Sequence, residues 1–224
     1  MSEPKYQEGA APEPVGLPDD IIISPDTLRE NRIPPNQTRT RKWPVLQAGH
    51  VMHISPEEWQ LSVTGLVERP AVLSWEEFRS LPRVRVFADF HCVTRWSRLG
   101  NLWEGVSTRT IAAWAGVLPA ARFVLPGAYD HGWSTNLPLA DFLAEDALLC
   151  DTHDGQPLDA DHGGPVRLIV PLLYAWKSAK WLQSLAFSAE DSPGHWEQAG
   201  YHNHGDPWRE ERFGSDTIPP GYYD

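Results

Sequence analysis

An α+β domain is the architecture this sequence predicts. Short runs of alternating apolar residues outnumber the helical patterns, and those helical patterns are brief and bounded by caps. Strands and helices also follow one another in mixed order, unlike the regular alternation of a doubly wound α/β sheet. With 224 residues the chain can bury a core without disulfide staples. The expected division is an extended arm over 1–45, a domain over 46–190 and a tail over 191–224 packed on that domain.

The arm is rich in Pro, Asn, Arg and acidic residues, with little periodicity apart from Ile21, Ile22 and Ile23. The globular pattern opens at 59–67, where apolar residues alternate through Val63 before the turn residues Glu68, Arg69 and Pro70. Ser74 stands three residues before Glu77, a capping box for a short helix through Phe78 and Leu81 that Pro82 ends. Val84, Val86, Ala88 and Phe90 then alternate with Arg85, Phe87 and Asp89, a strand that delivers His91 and Cys92 at its C-terminal end. Ser107 or Thr108 caps a helix through Ile111, Ala112 and Trp114, with Gly116 in the C′ position. Strands are expected at 122–125 and 147–151, with a helical turn at 139–143 between them and a tight turn at Asp154 and Gly155. Two more strands are read at 166–170 and 181–187.

A formal net charge of -11, with Lys and Arg scattered, argues against a nucleic-acid surface, because phosphate binding needs concentrated cations. The N-terminal residues are polar and acidic, without an apolar h-region or a twin-Arg pair, and no run reaches the roughly 18 apolar residues of a membrane span. A cytoplasmic protein with no membrane contact is therefore expected. The two cysteines, Cys92 and Cys150, exclude a disulfide framework, and in a reducing compartment free thiols are expected. Trp is used 11 times, more than core packing needs, which points to pocket walls or interface anchors.

Two segments carry chemistry. The first, 91–97, sets Cys92 among His91, Thr94, Arg95, Trp96 and Ser97. A neighbouring cation lowers a thiol pKa and favours a thiolate for a metal or nucleophilic role, although an unpaired cysteine also serves as a small buried hydrophobe. The second runs from Asp161, His162, Gly163, Gly164 and Pro165 to Arg167, and continues after a strand into Tyr174, Trp176, Lys177, Ser178, Ala179, Lys180 and Trp181. Its glycines permit close backbone approach, and Arg167, Ser178 and Lys180 can meet a phosphate from several sides. Taken alone, a tight turn with solvated cations explains it equally well.

In this order, Cys-x-x-x-Trp-Ser at Cys92, His-Gly-Gly-Pro-Val-Arg at 162–167 and Trp-Lys-Ser-Ala-Lys-Trp at 176–181 resemble the molybdopterin-binding domain of the sulfite oxidase family. The resemblance runs from about Trp59 to Phe187, with further landmarks at 135–139 and 154–158, and the tail from Gly194 to Phe213 resembles the short prokaryotic members. It implies mixed β-sheets with short helices, and a molybdenum-dependent oxidoreductase that transfers oxygen atoms to or from a small S-oxide, N-oxide or oxyanion. The cofactor implied is molybdenum with one molybdopterin, and Cys92 is the implied catalytic residue and metal ligand beside two dithiolene sulfurs.

By the same resemblance, His162, Arg167, Ser178, Ala179 and Lys180 contact pterin and phosphate, His162 standing where the family's bacterial methionine-sulfoxide reductase subunits have asparagine. Gly127 or Ala128 offers a further contact, and Asn36, Arg41 and Lys42 reach the pterin from the arm, with His91 and Arg95 beside the cysteine. Sulfite-oxidising members follow the cysteine with an Asn-Arg-Arg type element, whereas this chain has Thr94, Arg95 and Trp96, which puts sulfite in doubt. The chain also lacks their C-terminal dimerisation domain and any haem site, so a monomer served by an external electron donor or acceptor protein is expected.

Other readings remain. One is a noncatalytic cofactor-binding or interaction module of the same fold. Another is a zinc hydrolase built on His195, His202 and His204, with His50, His53, His131, His153 and His162 in reserve, although no His-Glu-x-x-His or paired-cysteine spacing occurs. Asp141, Glu145 and Asp146 read as a solvated helix end, and Tyr129, Asp130 and Tyr174 as candidates for a substrate mouth.

Overall fold

The structure, a computed structural model, describes residues 11–130 and 132–214. In chain order the strands and helices are β1 (Ile21–Ile23), β2 (Thr38–Thr40), β3 (Gln60–Gly65), β4 (Ala71–Ser74), α1 (Trp75–Ser80), β5 (Arg83–His91) and β6 (Trp96–Ser107). Then follow α2 (Thr108–Ala115), β7 (Phe123–Ala128), β8 (Leu137–Pro138), α3 (Leu139–Phe142), β9 (Leu148–His153), β10 (Gln156–Pro157), β11 (Arg167–Ile169), β12 (Leu182–Ser188) and α4 (His195–Gln198). This is the α+β architecture the sequence predicts, with mixed sheets and short helices.

Two sheets organise the chain. The larger runs β1-β5-β6-β9-β10, with β11 paired to β9 and β2 to β6; the smaller runs β4-β3-β12-β7-β8. Period-two alternation decides what each face buries. Leu149 of β9 and Leu168 of β11 join Leu61, Val63, Leu182 and Leu185 of the smaller sheet in the main core. Their neighbours Leu148, Cys150 and Ile169 join Phe90, Trp103 and Cys92 in a second cluster. That second cluster holds the candidate site.

The caps form as the residues dictate. Ser74 Oγ accepts from Glu77 N while Glu77 returns a bond to Ser74 N, so both halves of the capping box are made. Ser107 caps α2, and Gly116 ends it in the left-handed region. Asp154 and Gly155 both take positive φ in the β9–β10 hairpin, the geometry of a tight two-residue turn.

The longest strand, β6, is absent from the sequence reading. Its Gly100, Asn101 and Gly105, with Arg98 and Glu104, resemble loop composition. Yet Gly105 is required here, because a Cβ at this position would collide with the Leu149 carbonyl where β6 shifts register against β9. The arm, read only as extended chain, contributes two parallel strands: Ile21–Ile23 add to β5 and Thr38–Thr40 add to β6. A buried bidentate pair, Arg32 Nη2 to Asp89 Oδ1 at 2.6 Å and Nε to Oδ2 at 2.8 Å, fastens the arm to β5.

Candidate functional site

Strand β5 ends at His91, and Cys92 opens the tight connection to β6. Arg95 N donates to Cys92 O at 3.0 Å and Cys92 N to Trp96 O at 2.9 Å, with Arg95 at φ 70. Both ends of the chain hold this loop. From the arm, Gln37 Nε2 donates to Cys92 O at 2.9 Å. From the tail, Arg212 Nη1 donates to Val93 O at 2.6 Å, and its Nη2 reaches Pro35 O at 3.3 Å. A side chain placed by so many backbone anchors is pre-organised for a ligand.

The two thiols are free and differ in setting. Cys92 lines a cavity of about 240 Å³, and Thr94 Oγ1 donates to its Sγ at 3.2 Å. Burial pushes its thiol up, while the Thr94 hydroxyl and the Arg212 guanidinium pull it down. The neighbouring cation expected from sequence was Arg95; Arg212, from the tail, lowers the thiol, and Arg167 and Lys180 also interact with it. Cys150 is fully buried on β9, its Sγ on Thr152 O at 3.1 Å, and burial drives its pKa up to about 12. Cys92 therefore has the access and polarity of a ligand, and Cys150 packs.

Arg167, Ser178 and Lys180 line the same cavity. Arg167 Nη1 donates to His162 O at 2.7 Å and its Nη2 to Ser178 O at 2.9 Å, which joins the two motif segments. Lys180 Nζ donates to Asp161 O at 2.6 Å. The Lys180 stem lies where a Cβ on Gly163 would sit, 2.7 Å from Lys180 Cβ, so the glycine lets the two segments close. Among the described residues neither cation pairs with a carboxylate. Burial lowers Arg167 to about 10, and burial with repulsion from Arg167 lowers Lys180 to about 7. Two desolvated cations satisfied only by neutral oxygens form a place prepared for an anion.

The remaining expected contacts divide. Ala128 lines the cavity, whereas Gly127 is paired with Ser184 in the sheet. Ala179 is wholly buried, and its carbonyl accepts from Leu168 N at 2.8 Å. His162 stands in a second cavity of about 310 Å³, next to the first and sharing Trp43 with it. There it stacks on Trp43 at 3.9 Å and meets Asp159 Oδ1 at 2.8 Å, and Arg41 lines the same cavity. Asn36 is exposed and donates to Glu210 Oε1 at 2.7 Å. His91 is buried with Nδ1 at 2.8 Å from Ser97 Oγ, and burial lowers its pKa to about 4, so the ring is neutral at pH 7. Neither His91 nor Arg95 lines either cavity.

Sequence reasoning missed Trp43 and the aromatic wall. Trp43 contacts Phe90, Trp103, His153 and His162 and carries Arg167 Cζ at 5.6 Å from its ring, although nothing around it in the sequence has a period. Trp133, Trp176, Trp196 and Tyr201 come from separate segments, and only the surplus of Trp hinted at them. Of the histidines in the zinc reading, His204 is held between Asp141 Oδ2 at 3.0 Å and Glu211 Oε2 at 2.8 Å, and His131 lies outside the described residues.

A thiol that shares a cavity with two cations, on two mixed sheets, is an arrangement able to hold an anionic cofactor. The family of oxidoreductase molybdopterin-binding domains matches residues 48–196. Over 186 residues the chain is 49% identical to the uncharacterized oxidoreductase YuiH of Bacillus subtilis, covering 83% of this chain and 93% of that protein. It is 30% identical over 151 residues to the putative protein-methionine-sulfoxide reductase subunit YedZ1 of Azospira oryzae, covering 67% of this chain and 57% of that relative. The crystal structure of the sulfane dehydrogenase SoxCD from Paracoccus pantotrophus shares the fold, with a TM-score of 0.59 at 23% identity over 62% of this chain and 40% of that one. The chain belongs to the molybdopterin-binding oxidoreductases of the sulfite oxidase family, and its cofactor is molybdenum with one molybdopterin. No helix among the described residues is long and apolar enough to cross a membrane.

Proposed function

We propose that the protein catalyses oxygen-atom transfer to or from a small S-oxide, N-oxide or oxyanion, with Cys92 as the thiolate that fixes molybdenum to the chain. One observation carries this reading: Cys92 shares a cavity of about 240 Å³ with the buried Arg167 and the half-buried Lys180, neither of which pairs with a carboxylate among the described residues. When bound, the cofactor supplies a two-electron Mo(VI)/Mo(IV) couple for oxygen exchange.

The chain supplies the rest. Cys92 gives a soft ligand of the kind molybdenum takes, and the Thr94 hydroxyl, 3.2 Å from Sγ, holds it by a hydrogen bond that tunes the sulfur. Arg167 and Lys180 neutralise the cofactor phosphate, with the Ser178 segment held by Arg167 as its floor. The aromatic walls keep water from the reacting atoms. An external redox protein exchanges electrons with the site, a reading supported by the naming of the Azospira relative as a reductase subunit. In this reading the protein works as a cytoplasmic monomer.

The test is turnover with an artificial electron donor or acceptor across a panel of S-oxides, N-oxides and oxyanions, using protein from a host that makes the cofactor. Turnover that disappears in Cys92→Ala supports the reading. Molybdenum-loaded protein that transfers oxygen to or from no member of the panel contradicts it and leaves a noncatalytic binding module.

A further inference from the structure

We infer that the cavity beside Cys92 selects uncharged organic S-oxides or N-oxides carrying an apolar substituent, that it rejects free oxyanions, and that Trp176 is a specificity-determining residue. The inference rests on the oxygen-transfer reading above and narrows its substrate class. Much of the cavity lining is aromatic, with Trp96, Trp133, Trp176, Trp196 and Tyr201 contributing. Flat apolar rings favour apolar substituents through burial and ring stacking, and they return nothing to a desolvated anion.

The charged groups point the same way. Among the described residues, Arg167 and Lys180 are the Lys and Arg side chains lining the cavity, and they are those assigned to the cofactor phosphate. Arg212, whose guanidinium acts on the Cys92 thiol, is committed to Val93 O, Pro35 O and the Glu210 carboxylate at 3.5 Å. Arg98 is likewise held by Asp154 at 2.7 Å. The lining also contains a carboxylate, Asp130, which repels an anionic substrate.

Trp176 is a buried ring held on several sides. Its Nε1 donates to Glu197 Oε1 at 2.9 Å, and that carboxylate is locked by Lys177 Nζ at 2.7 Å and by Thr135 Oγ1 at 2.9 Å. The ring stacks on Tyr174 at 5.3 Å and meets Tyr201 edge-on at 5.2 Å. A pre-organised plane binds without paying ordering entropy, which is how an aromatic anchor gains selectivity. The reaction balances as R2S=O + 2 e⁻ + 2 H⁺ → R2S + H2O for a sulfoxide, with electrons from the external donor protein.

The experiment compares methyl phenyl sulfoxide, dimethyl sulfoxide, nitrate and sulfite as substrates of the molybdenum-loaded enzyme, and follows quenching of Trp fluorescence by unreactive methyl phenyl sulfone. The expected order of kcat/KM is methyl phenyl sulfoxide, then dimethyl sulfoxide, with nitrate and sulfite far below. Trp176→Ala should raise KM for the phenyl substrate and weaken sulfone binding roughly 10-fold or more, with molybdenum content retained and Trp176→Phe restoring much of the loss. Trp133→Ala, which removes a partly exposed ring, should act in the same direction if Trp176→Ala does not fold. Preferred turnover of nitrate or sulfite, or sulfone binding unchanged in both variants, overturns this inference while oxygen transfer stands. Absence of turnover on every substrate overturns the oxygen-transfer reading and this inference with it.

Discussion

The Lys177 ammonium lies 2.7 Å from the Glu197 carboxylate, and both side chains are essentially closed to solvent. Lys177 also donates to Asn136 O at 2.9 Å and Asn203 O at 2.6 Å, while Glu197 receives Trp176 and Thr135. The pair thus ties the segment before β8, the loop before β12 and the tail helix α4 to one another.

Removing one partner of such a pair strands the other charge in a dry site. Glu197→Ala is expected to lower unfolding free energy by about 3–5 kcal/mol, read as a lower urea midpoint. The Trp176 ring also loses its hydrogen bond. An unchanged midpoint would mean that the tail is not packed as described.

The two cysteines are expected to separate cleanly. Cys92→Ala should lose molybdenum or all turnover. Cys150→Ala should keep both, since that thiol packs against strand backbone and lines neither of the two cavities described. Metal content and activity measured on the two variants decide it, and equal effects would remove the basis for assigning the ligand to Cys92.

Lys180→Ala should lower cofactor occupancy, because the cradle loses one of its two cations, and Lys180→Arg should retain more of it. Pterin content per chain is the readout. Full occupancy in Lys180→Ala would place the phosphate elsewhere.

His204 gives a pH signature. Hydrogen bonds to Asp141 and Glu211 raise its pKa to about 9. A group whose folded pKa is raised stabilises the fold fully below its unfolded value near 6.5, and that contribution is lost as pH rises through about 9. The thermal midpoint of His204→Ala should therefore fall below the parent at pH 6 and converge with it by about pH 10. A gap that widens with pH would contradict the charged clamp.

What the sequence makes legible is local. The Ser74–Glu77 capping box, the Gly116 cap and the alternation that carries β5 to Cys92 all depend on neighbours in the chain, and each forms as read. The joining of the Arg167 and Lys180 segments was legible as two motifs, though not as a contact. What was hidden depends on distant partners. Strand β6 is disguised by Gly105, whose reason is a close approach to Leu149 more than forty residues away. Trp43 sits in an aperiodic arm, and the Arg212 contact with Val93 spans 119 residues. No pattern within a window of sequence reports either.

The central claim is that Cys92 holds molybdenum in this cavity. Molybdenum and pterin analysis, joined to X-ray absorption at the molybdenum edge, tests it most directly on protein from a host that makes the cofactor. The account predicts near-stoichiometric molybdenum and one pterin per chain, with a thiolate sulfur beside the dithiolene pair that is lost in Cys92→Ala. Zinc or no metal from such a host, or an unchanged sulfur shell in Cys92→Ala, would contradict it.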